Sequence, residues 1–225
     1  KKDVDGFRFD VINYVAKTKP FPETGGSFAD NCMNQPHFID YLHEMNERVL
    51  SKYDLITVGE MPGVTAELAK QYASLKGDGL NMVFTFEHMF ADLDLTGQKL
   101  GQPSYFSAFM EVLNRWQSEL DGVAWNSLYW NNHDQARIAS RLGRPGVSSD
   151  TTARVAALAL HGMQGTPYIY QGEELGMTNY PFADRSEFKD VMSQGFWNLF
   201  VDQMKVLSDE QMLEQLNRFA RDNAR

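Results

Sequence analysis

The sequence predicts an α/β fold in which parallel strands alternate with helices, as they do in a (β/α)8 barrel. Five short apolar runs of strand character are each followed by a longer segment with helical spacing of apolar residues. Three of these runs lead into an acid, namely Asp10, Glu60 and Asp134. Because the carboxyl ends of parallel strands meet at one mouth of a barrel, we expect the three acids to converge there.

The predicted strands and helices follow one another along the chain. The strands are predicted at residues 6–11, 55–58, 81–86, 127–130 and 167–170. The helices are predicted at residues 36–51, 64–75, 104–120, 151–161 and 202–221. The face of the first helix that should pack on the sheet carries Phe38, Leu42, Met45 and Val49.

Each of the three acids has a particular neighbour. In GFRFDV, aromatic residues alternate with Arg8 and Asp10, so the guanidinium and the carboxylate lie on the same side of the strand. In LITVGE the apolar run stops before Glu60, and in SLYWNNHD a histidine, His133, directly precedes Asp134. A lone acid after a strand is commonly a helix cap or a turn residue. A cap needs no such neighbour, whereas a sugar-binding site uses both kinds of donor.

Composition and charge narrow the class of protein. With 43% hydrophobic and 12% aromatic residues, the chain has the material for a packed core. A net charge of −9 disfavours nucleic-acid and anionic-membrane partners and suits a neutral substrate. No apolar window is long enough to predict a membrane span. The single cysteine, Cys32, excludes an intrachain disulfide and fits a reducing compartment, so we expect a cytoplasmic protein.

Several segments carry a resemblance to a known family. GFRFDVI (6–12), TVGEMPG (57–63) and NNHDQAR (131–137) resemble three signature regions of glycoside hydrolase family 13, the α-amylase family. The pattern is most similar to the branch of oligo-1,6-glucosidases and dextran glucosidases. QGTPYIYQGEELGMTN (164–179) and ARDNAR (220–225) are similar to the same branch, so the resemblance extends through most of the chain.

The resemblance also implies a longer protein. A complete (β/α)8 barrel takes roughly 250 residues, whereas this chain has 225 and opens directly on the strand of Asp10. An earlier family signature, Asp-Val-Val-x-Asn-His, is absent, and relatives continue after ARDNAR into a Thr-Pro-Met-Gln-Trp segment and a small β domain. We therefore expect residues 1–225 to form about units four to eight of a catalytic TIM barrel, without the N-terminal barrel units and the C-terminal β domain, and to be inactive alone.

The resemblance assigns roles to the three acids in a retaining mechanism, in which two carboxylates roughly 5 Å apart act on one glycosidic bond. Asp10 is the expected nucleophile, and Arg8 keeps its carboxylate ionised and oriented. Glu60 is the expected acid, with a pKa raised by the nearby charge of Asp10. Asp134 is expected to hold sugar hydroxyls and to stabilise the transition state, with His133 donating to a neighbouring hydroxyl.

Further residues are candidates for substrate binding. Val11, directly after the expected nucleophile, resembles the branch that acts on α-1,6 links, and the alternative is an ordinary β-branched strand residue. Gln135, Asn13 and Lys99 are candidate contacts to the next sugar, or else ordinary polar loop residues. Arg225 is the candidate for binding the far hydroxyl of the terminal sugar, by the same resemblance.

The far hydroxyl of the terminal sugar could instead be bound by Arg221, if the sequence is aligned with the family in a different register. Glu87 and His88 lie at the end of the third predicted strand. Their role is left open between packing, support of the site and contact with substrate. After the last strand, Glu173 and the adjacent Glu174 are assigned a structural role.

No metal or cofactor site is predicted in this chain. HEMNE (43–47) opens like a zinc-binding helix but carries Glu47 where a second His would be required. DLDLTG (92–97) opens like a calcium loop, but Pro103 occupies the twelfth position and offers no bidentate carboxylate. The resemblance places the calcium sites of this branch in barrel units that precede the chain.

The sequence therefore predicts a retaining, exo-acting α-glucosidase that hydrolyses α-1,6-linked, isomaltose-type substrates from the non-reducing end. Within the family, trehalose-6-phosphate hydrolase and sucrose isomerase remain alternatives. Outside catalysis, the alternative is a family member that serves as a binding or scaffolding subunit. The expected partner is a small oligosaccharide, with neither a nucleic acid nor a membrane.

Overall fold

The computed structural model describes residues 3–20, 26–91, 103–144 and 146–221 of the chain. These residues divide into two compact units. The first unit takes the described residues of 1–91, 106–128 and 164–166, and the second takes those of 92–105, 129–163 and 167–225. Each unit contains a hydrophobic cluster of its own.

Five strands form one sheet in which neighbours in space are also neighbours in sequence. They are β1 (Gly6–Phe9), β2 (Ile56–Glu60), β3 (Met82–Phe84), β4 (Trp125–Leu128) and β5 (Thr166–Pro167). The pairings from β1 through β4 are parallel. Parallel neighbours need long crossover connections, which are usually helical. The sheet therefore has the alternation that the sequence predicts, although most of its strands are shorter and β5 begins one residue earlier than expected.

Two of the five helices described in the first part of the chain begin at side-chain caps. The five are α1 (Phe28–Cys32), α2 (Phe38–Arg48), α3 (Ala66–Tyr72), α4 (Glu87–Phe90) and α5 (Pro103–Leu120). Ser27 and Asp30 form a reciprocal capping box at α1, and Thr65 accepts from the N–H of Leu68 at α3. Such caps satisfy N–H groups that a helix leaves unpaired at its first turn.

The cluster of the first unit lies where these helices face the sheet. Phe38 and Leu42 of α2 pack with Tyr72 of α3, with Trp116 of α5 and with Leu80, which precedes β3. The rings of Phe38 and Tyr72 meet edge to face, with their centroids 4.9 Å apart. Phe9, which precedes Asp10, and Met61, which follows Glu60, belong to the same packing.

The predicted helix of residues 36–51 is too long at its C-terminal end. Helix α2 ends at Arg48, and Val49 is its C-cap with a non-helical backbone. The chain then tightens into a 3-10 helix, Leu50–Lys52. As a result Leu50 enters the core at 7% exposure, whereas Val49 is 47% exposed. Val49 is therefore not part of the buried face, contrary to the periodicity.

Helices also dominate the described part of the second unit. They are α6 (Ile138–Arg141), α7 (Ser149–His161), α8 (Val191–Trp197) and α9 (Asp209–Phe219), with a π-helical segment, Asn198–Gln203, directly after α8. The prediction of one helix from 202 to 221 is wrong about its start, because Ser208 and Gln211 form a capping box that begins α9. Helices α6 and α8 were not predicted.

The cluster of the second unit joins α8 to α9. It contains Phe188, Trp197, Met212, Leu216 and Ala220. The indole N–H of Trp197 donates to Oδ1 of Asp209 at 2.6 Å, so this large buried side chain has a hydrogen-bond partner. None of the described helices combines the length and apolar composition needed to cross a membrane.

We expect Leu50→Ala to lower the free energy of unfolding by about 2–4 kcal/mol, because it removes buried methyl groups and leaves a cavity. Val49→Ala, one residue away but exposed, should lower it by less than about 1 kcal/mol. Urea unfolding followed by far-ultraviolet circular dichroism measures both values. Equal losses, or a larger loss for Val49→Ala, would contradict the described end of α2.

Candidate active site

One guanidinium joins the acids at the ends of the first two strands. Arg8, in β1, donates through Nη1 to Asp10 and through Nη2 to Glu60. In the register of the sheet Phe9 pairs with Gly59, so Asp10 and Glu60 follow at the same level of neighbouring strands. An arginine fork holds its two acceptors within about one guanidinium width of each other. The structure thus brings Asp10, Arg8 and Glu60 together.

The two carboxylates differ in their surroundings. The side chain of Asp10 is 74% exposed, whereas that of Glu60 is 9% exposed. An exposed carboxylate can be reached by a ligand, while a buried one depends on protein donors in place of water. The pKa of nearby Tyr14 is raised, first by burial and then by the negative charge of Glu60. The pair is therefore asymmetric, with one open and one enclosed carboxylate.

The backbone leaves strand conformation immediately after Asp10. Val11 has φ 35° and ψ 42°, in the left-handed region, and precedes a 3-10 helix, Ile12–Tyr14. This conformation is strained for a β-branched residue, by roughly 1–3 kcal/mol. The predicted strand of residues 6–11 ends at Phe9 because the chain turns here. The interpretation of Val11 as an ordinary strand residue is therefore wrong.

Asn13 supports this turn from within the protein. Its side chain donates to Oδ1 of Asn34 at 2.9 Å and to the carbonyl oxygen of Pro62 at 2.8 Å. Because the residue is completely buried, the interpretation of Asn13 as a sugar contact is wrong. Asn13 instead connects the turn after β1 with the segment after β2. A buried asparagine was not foreseen because its partners are distant in sequence.

Asp134 lies in the second unit, in the segment that follows β4. Its backbone N–H donates to Oδ1 of Asn132 at 2.8 Å, and its carboxylate lies 3.3 Å from Nε2 of His133. Arg221 donates through Nη2 to the other carboxylate oxygen. Gln135 continues the same turn, with its N–H bonded to the carbonyl oxygen of Asn132 at 3.2 Å. Asp134 and His133 are thus close neighbours in space.

Buried polar residues fix both ends of this segment. Oδ1 of Asn131 accepts from the N–H of Ile138 at 3.0 Å. The N–H of Arg137 donates to Oδ1 of Asn179 at 2.8 Å, and its guanidinium donates to the carbonyl oxygen of Gln171. Asn131 and Arg137 are almost inaccessible to solvent. Sequence reasoning singled out His133 and missed these supports, although only the partners of Arg137 lie dozens of residues away.

Glu173, to which the sequence assigns a structural role, is a titratable group with a shifted pKa. It follows β5 and begins a 3-10 helix, Glu173–Leu175. Burial raises the pKa of its carboxyl from 4.5 to about 7, against the N–H of Tyr170, the amide of Asn131 and the charge of Arg137, which lower it. This pKa shift is compatible with the structural role assigned to Glu173. The sequence could not have predicted it, because the shift depends on tertiary packing.

Glu87 and His88 are held in packing contacts. Arg115 donates to Oε1 of Glu87, and the indole N–H of Trp116 donates to Oε2 at 2.8 Å. His88 is buried. Because both residues are engaged by protein groups, support of the end of β3 is favoured over contact with a substrate.

Two candidate residues, Lys99 and Arg225, lie outside the described residues and remain predictions. Arg221, the alternative to Arg225, is the arginine placed beside Asp134. The convergence of Asp134 with the acids of the first unit also remains a prediction. Within residues 3–20, 26–91, 103–144 and 146–221, no group of three or more His, Cys, Asp or Glu side chains could hold a metal ion.

The raised pKa of Glu173 predicts a loss of stability as the pH rises. An acid whose folded pKa exceeds its unfolded pKa destabilises the fold progressively between the two values, here 4.5 and about 7. Allowing for solvent screening, we expect a loss of about 1–2 kcal/mol across this window. Glu173→Gln imitates the protonated carboxyl, so it should match the parent at pH 4.5 and be more stable by that amount at pH 8.

Urea unfolding of the parent and the variant at several pH values tests this expectation. Glu214→Gln provides a matched control, because Glu214 is an exposed residue of α9 in the same unit. A constant difference in free energy between Glu173→Gln and the parent at all pH values would contradict the assignment.

Comparisons with known proteins identify the family. The family model for the alpha amylase catalytic domain matches residues 1–225. An oligo-1,6-glucosidase of Bacillus cereus is 44% identical over 100% of this chain and 41% of its own length. The trehalose-6-phosphate hydrolase of Bacillus subtilis (strain 168) is 42% identical over 100% of this chain and 40% of its own length. The chain thus spans about two fifths of these relatives.

Solved structures give the same result. The crystal structure of Bacillus licheniformis trehalose-6-phosphate hydrolase has a TM-score of 0.85 and 41% identity, covering 99% of this chain and 40% of that chain. The isomaltulose synthase from Erwinia rhapontici NX5 has a TM-score of 0.82 and 32% identity, covering 100% of this chain and 41% of that chain. The predicted TIM-barrel fold class and the resemblance are confirmed. The chain belongs to glycoside hydrolase family 13, the α-amylase family, and matches its catalytic domain.

Proposed function

We propose that the chain supplies the nucleophile and the acid of a retaining α-glucosidase that cleaves α-1,6-linked, isomaltose-type substrates from the non-reducing end. The observation that carries the proposal is the shared guanidinium of Arg8, which contacts both Asp10 and Glu60. Retaining enzymes hold their two carboxyl groups roughly 5 Å apart, whereas inverting enzymes leave a wider gap for water. Two carboxylates on one guanidinium favour the closer spacing.

The chemistry proceeds in two displacements. Asp10 attacks the anomeric carbon and forms a covalent glycosyl–enzyme bond, while Glu60 gives its proton to the departing glycosidic oxygen. Glu60 then removes a proton from water, which attacks the same carbon, displaces Asp10 and releases glucose in its original α configuration. Asp134 stabilises the positive charge that develops on the sugar ring in each transition state.

The environment of each carboxylate suits its proposed role. The open carboxylate of Asp10 is accessible to a sugar carbon, and the positive charge of Arg8 favours its ionised form. The enclosed carboxyl of Glu60 has less contact with water, and burial favours the protonated form that a general acid needs, against the charge of Arg8. Arg8 restrains both groups, so neither needs to be reoriented when substrate binds.

Trehalose-6-phosphate hydrolase is the second candidate, because relatives of that name are 42% and 41% identical to the chain. Sucrose isomerisation is a third possibility within the same chemistry. A panel of isomaltose, trehalose-6-phosphate and sucrose, followed by proton NMR with the full-length protein, separates the three. We expect isomaltose to react fastest. On p-nitrophenyl α-glucoside, whose leaving group is not a sugar, we expect α-glucose to appear before β-glucose.

Each other outcome of this panel has a definite meaning. Initial release of β-glucose from p-nitrophenyl α-glucoside would contradict the retaining mechanism. A preference for trehalose-6-phosphate or for sucrose would contradict the α-1,6 assignment and leave the pair of acids in place. Binding of the sugars without turnover would support the alternative of a binding or scaffolding subunit.

The roles of the two acids predict different losses of activity. Asp10→Asn should abolish turnover of every α-glucoside, because no nucleophile remains. Glu60→Gln should lower kcat/KM on isomaltose by about 10²–10⁴-fold. The loss should be much smaller on p-nitrophenyl α-glucoside, whose leaving group needs little protonation. Asp121→Asn, an exposed aspartate of the first unit, should leave all rates unchanged. Equal losses for Glu60→Gln on both substrates would contradict its role as the acid.

Val11→Thr should shift the ratio of kcat/KM on isomaltose and maltose toward maltose by roughly ten- to a hundredfold, the scale of one altered contact beside the nucleophile. Threonine is also β-branched, so the strained backbone at Val11 is retained and the change is confined to a hydroxyl in place of a methyl. Val15→Thr is the control, because Val15 is 57% exposed at the end of the same turn. An unchanged ratio in Val11→Thr would remove the local support for α-1,6 preference.

A further inference from the structure

Arg221 lies between two carboxylates of the second unit. Its Nη2 donates to Oδ1 of Asp134, and its Nε lies 3.5 Å from Oδ1 of Asp190. The two acids are far apart in sequence, because Asp134 belongs to the segment after β4 and Asp190 precedes α8. One guanidinium therefore connects the expected transition-state stabiliser with the beginning of a helix.

Asp190 is the more firmly held of the two acids. It is the N-cap of α8, and its Oδ2 accepts from both the N–H and the Oγ–H of Ser193 at 2.8 Å. Its side chain is 7% exposed, against 30% for Asp134 and 32% for Arg221. The ion pair thus has a buried, anchored end at Asp190 and an accessible end at Asp134.

The geometry at the accessible end depends on Arg221. An arginine side chain has many rotamers, and a contact to a fixed carboxylate removes much of that freedom before the second contact forms. In the described part of the chain, the backbone N–H of Asp134 also donates to Asn132, and its carboxylate lies beside the imidazole of His133, which is 55% exposed.

We propose that Asp190 is a positioning residue, which holds Arg221 so that the guanidinium orients the carboxylate of Asp134 for the reaction. This inference rests on the proposed function. It assigns to Asp190 a part in turnover through Arg221, in addition to capping α8. The cap requires only an oxygen acceptor, whereas the hold on Arg221 requires a negative charge, so the two roles can be separated.

Asp190→Asn separates them, because asparagine keeps an acceptor for Ser193 and removes the charge. We expect kcat on isomaltose to fall by roughly ten- to a hundredfold, the effect of a slightly misplaced catalytic group. KM should change by less than about threefold, because Asp134 acts mainly on the transition state. Asp184→Asn is the matched control, since Asp184 caps the 3-10 helix Arg185–Glu187 and accepts from Ser186. It should leave kcat unchanged.

A double-mutant cycle with Arg221→Gln tests whether Asp190 acts through Arg221. In the Arg221→Gln background, adding Asp190→Asn should lower kcat by less than about twofold, because the guanidinium is already absent. An equal loss in both backgrounds would overturn the inference and leave Asp190 as a helix cap only. A kcat of Asp190→Asn equal to that of the parent would also overturn it.

The same four proteins provide a measurement that needs no substrate. In urea unfolding at low salt, the coupling between positions 190 and 221 should change the unfolding constant by at least about threefold beyond the product of the single effects. Independent effects would overturn the proposed hold on Arg221, even if activity is too low to compare. If the parent protein cleaves no α-glucoside, the proposed function fails, while this cycle still decides whether Asp190 holds Arg221.

Discussion

Two carboxylates held close together repel each other, so the arrangement of Asp10 and Glu60 depends on the cation between them. Arg8 supplies that cation from β1, and the parallel pairing of β1 with β2 sets both acids at the same level. A slip of one residue in this pairing would turn the side chains of one strand to the opposite face. The electrostatic interaction of the pair is therefore a consequence of strand register. The core packing that holds the two strands also helps to hold the two carboxylates in place.

That packing leaves little room near the acids. A Cβ atom at Gly59, directly before Glu60, would lie 2.7 Å from Cδ1 of Leu80 and 2.7 Å from Cε of Met61. A side chain at this position would therefore require the tips of Leu80 and Met61 to shift. The chain is also tightly constrained after β1, where Val11 has a strained backbone and the buried amide of Asn13 bonds to Pro62. Irregular backbone next to Asp10 is maintained by contacts that fix it from the protein interior.

Sequence reasoning located the features that depend on local pattern. The alternation of strands and helices follows from periodicity, and Arg8 and Asp10 share a side because strand residues alternate with a period of two. Sequence reasoning was wrong where tertiary packing decides whether a side chain is buried. Val49 fits the helical period, yet α2 ends before it and Leu50 is buried instead. Asn13 looked like a polar loop residue, and only partners from two other segments make it an internal support.

The raised pKa of the Glu173 carboxyl also affects the heat that calorimetry measures on unfolding. Between its two pKa values, 4.5 and about 7, folding is accompanied by the uptake of a proton from the buffer. Unfolding releases that proton, so the enthalpy of unfolding measured by calorimetry in this range includes the heat of protonating the buffer. Scans in phosphate and in a buffer with a large ionisation enthalpy should therefore differ, and their difference counts the proton that the folded chain takes up.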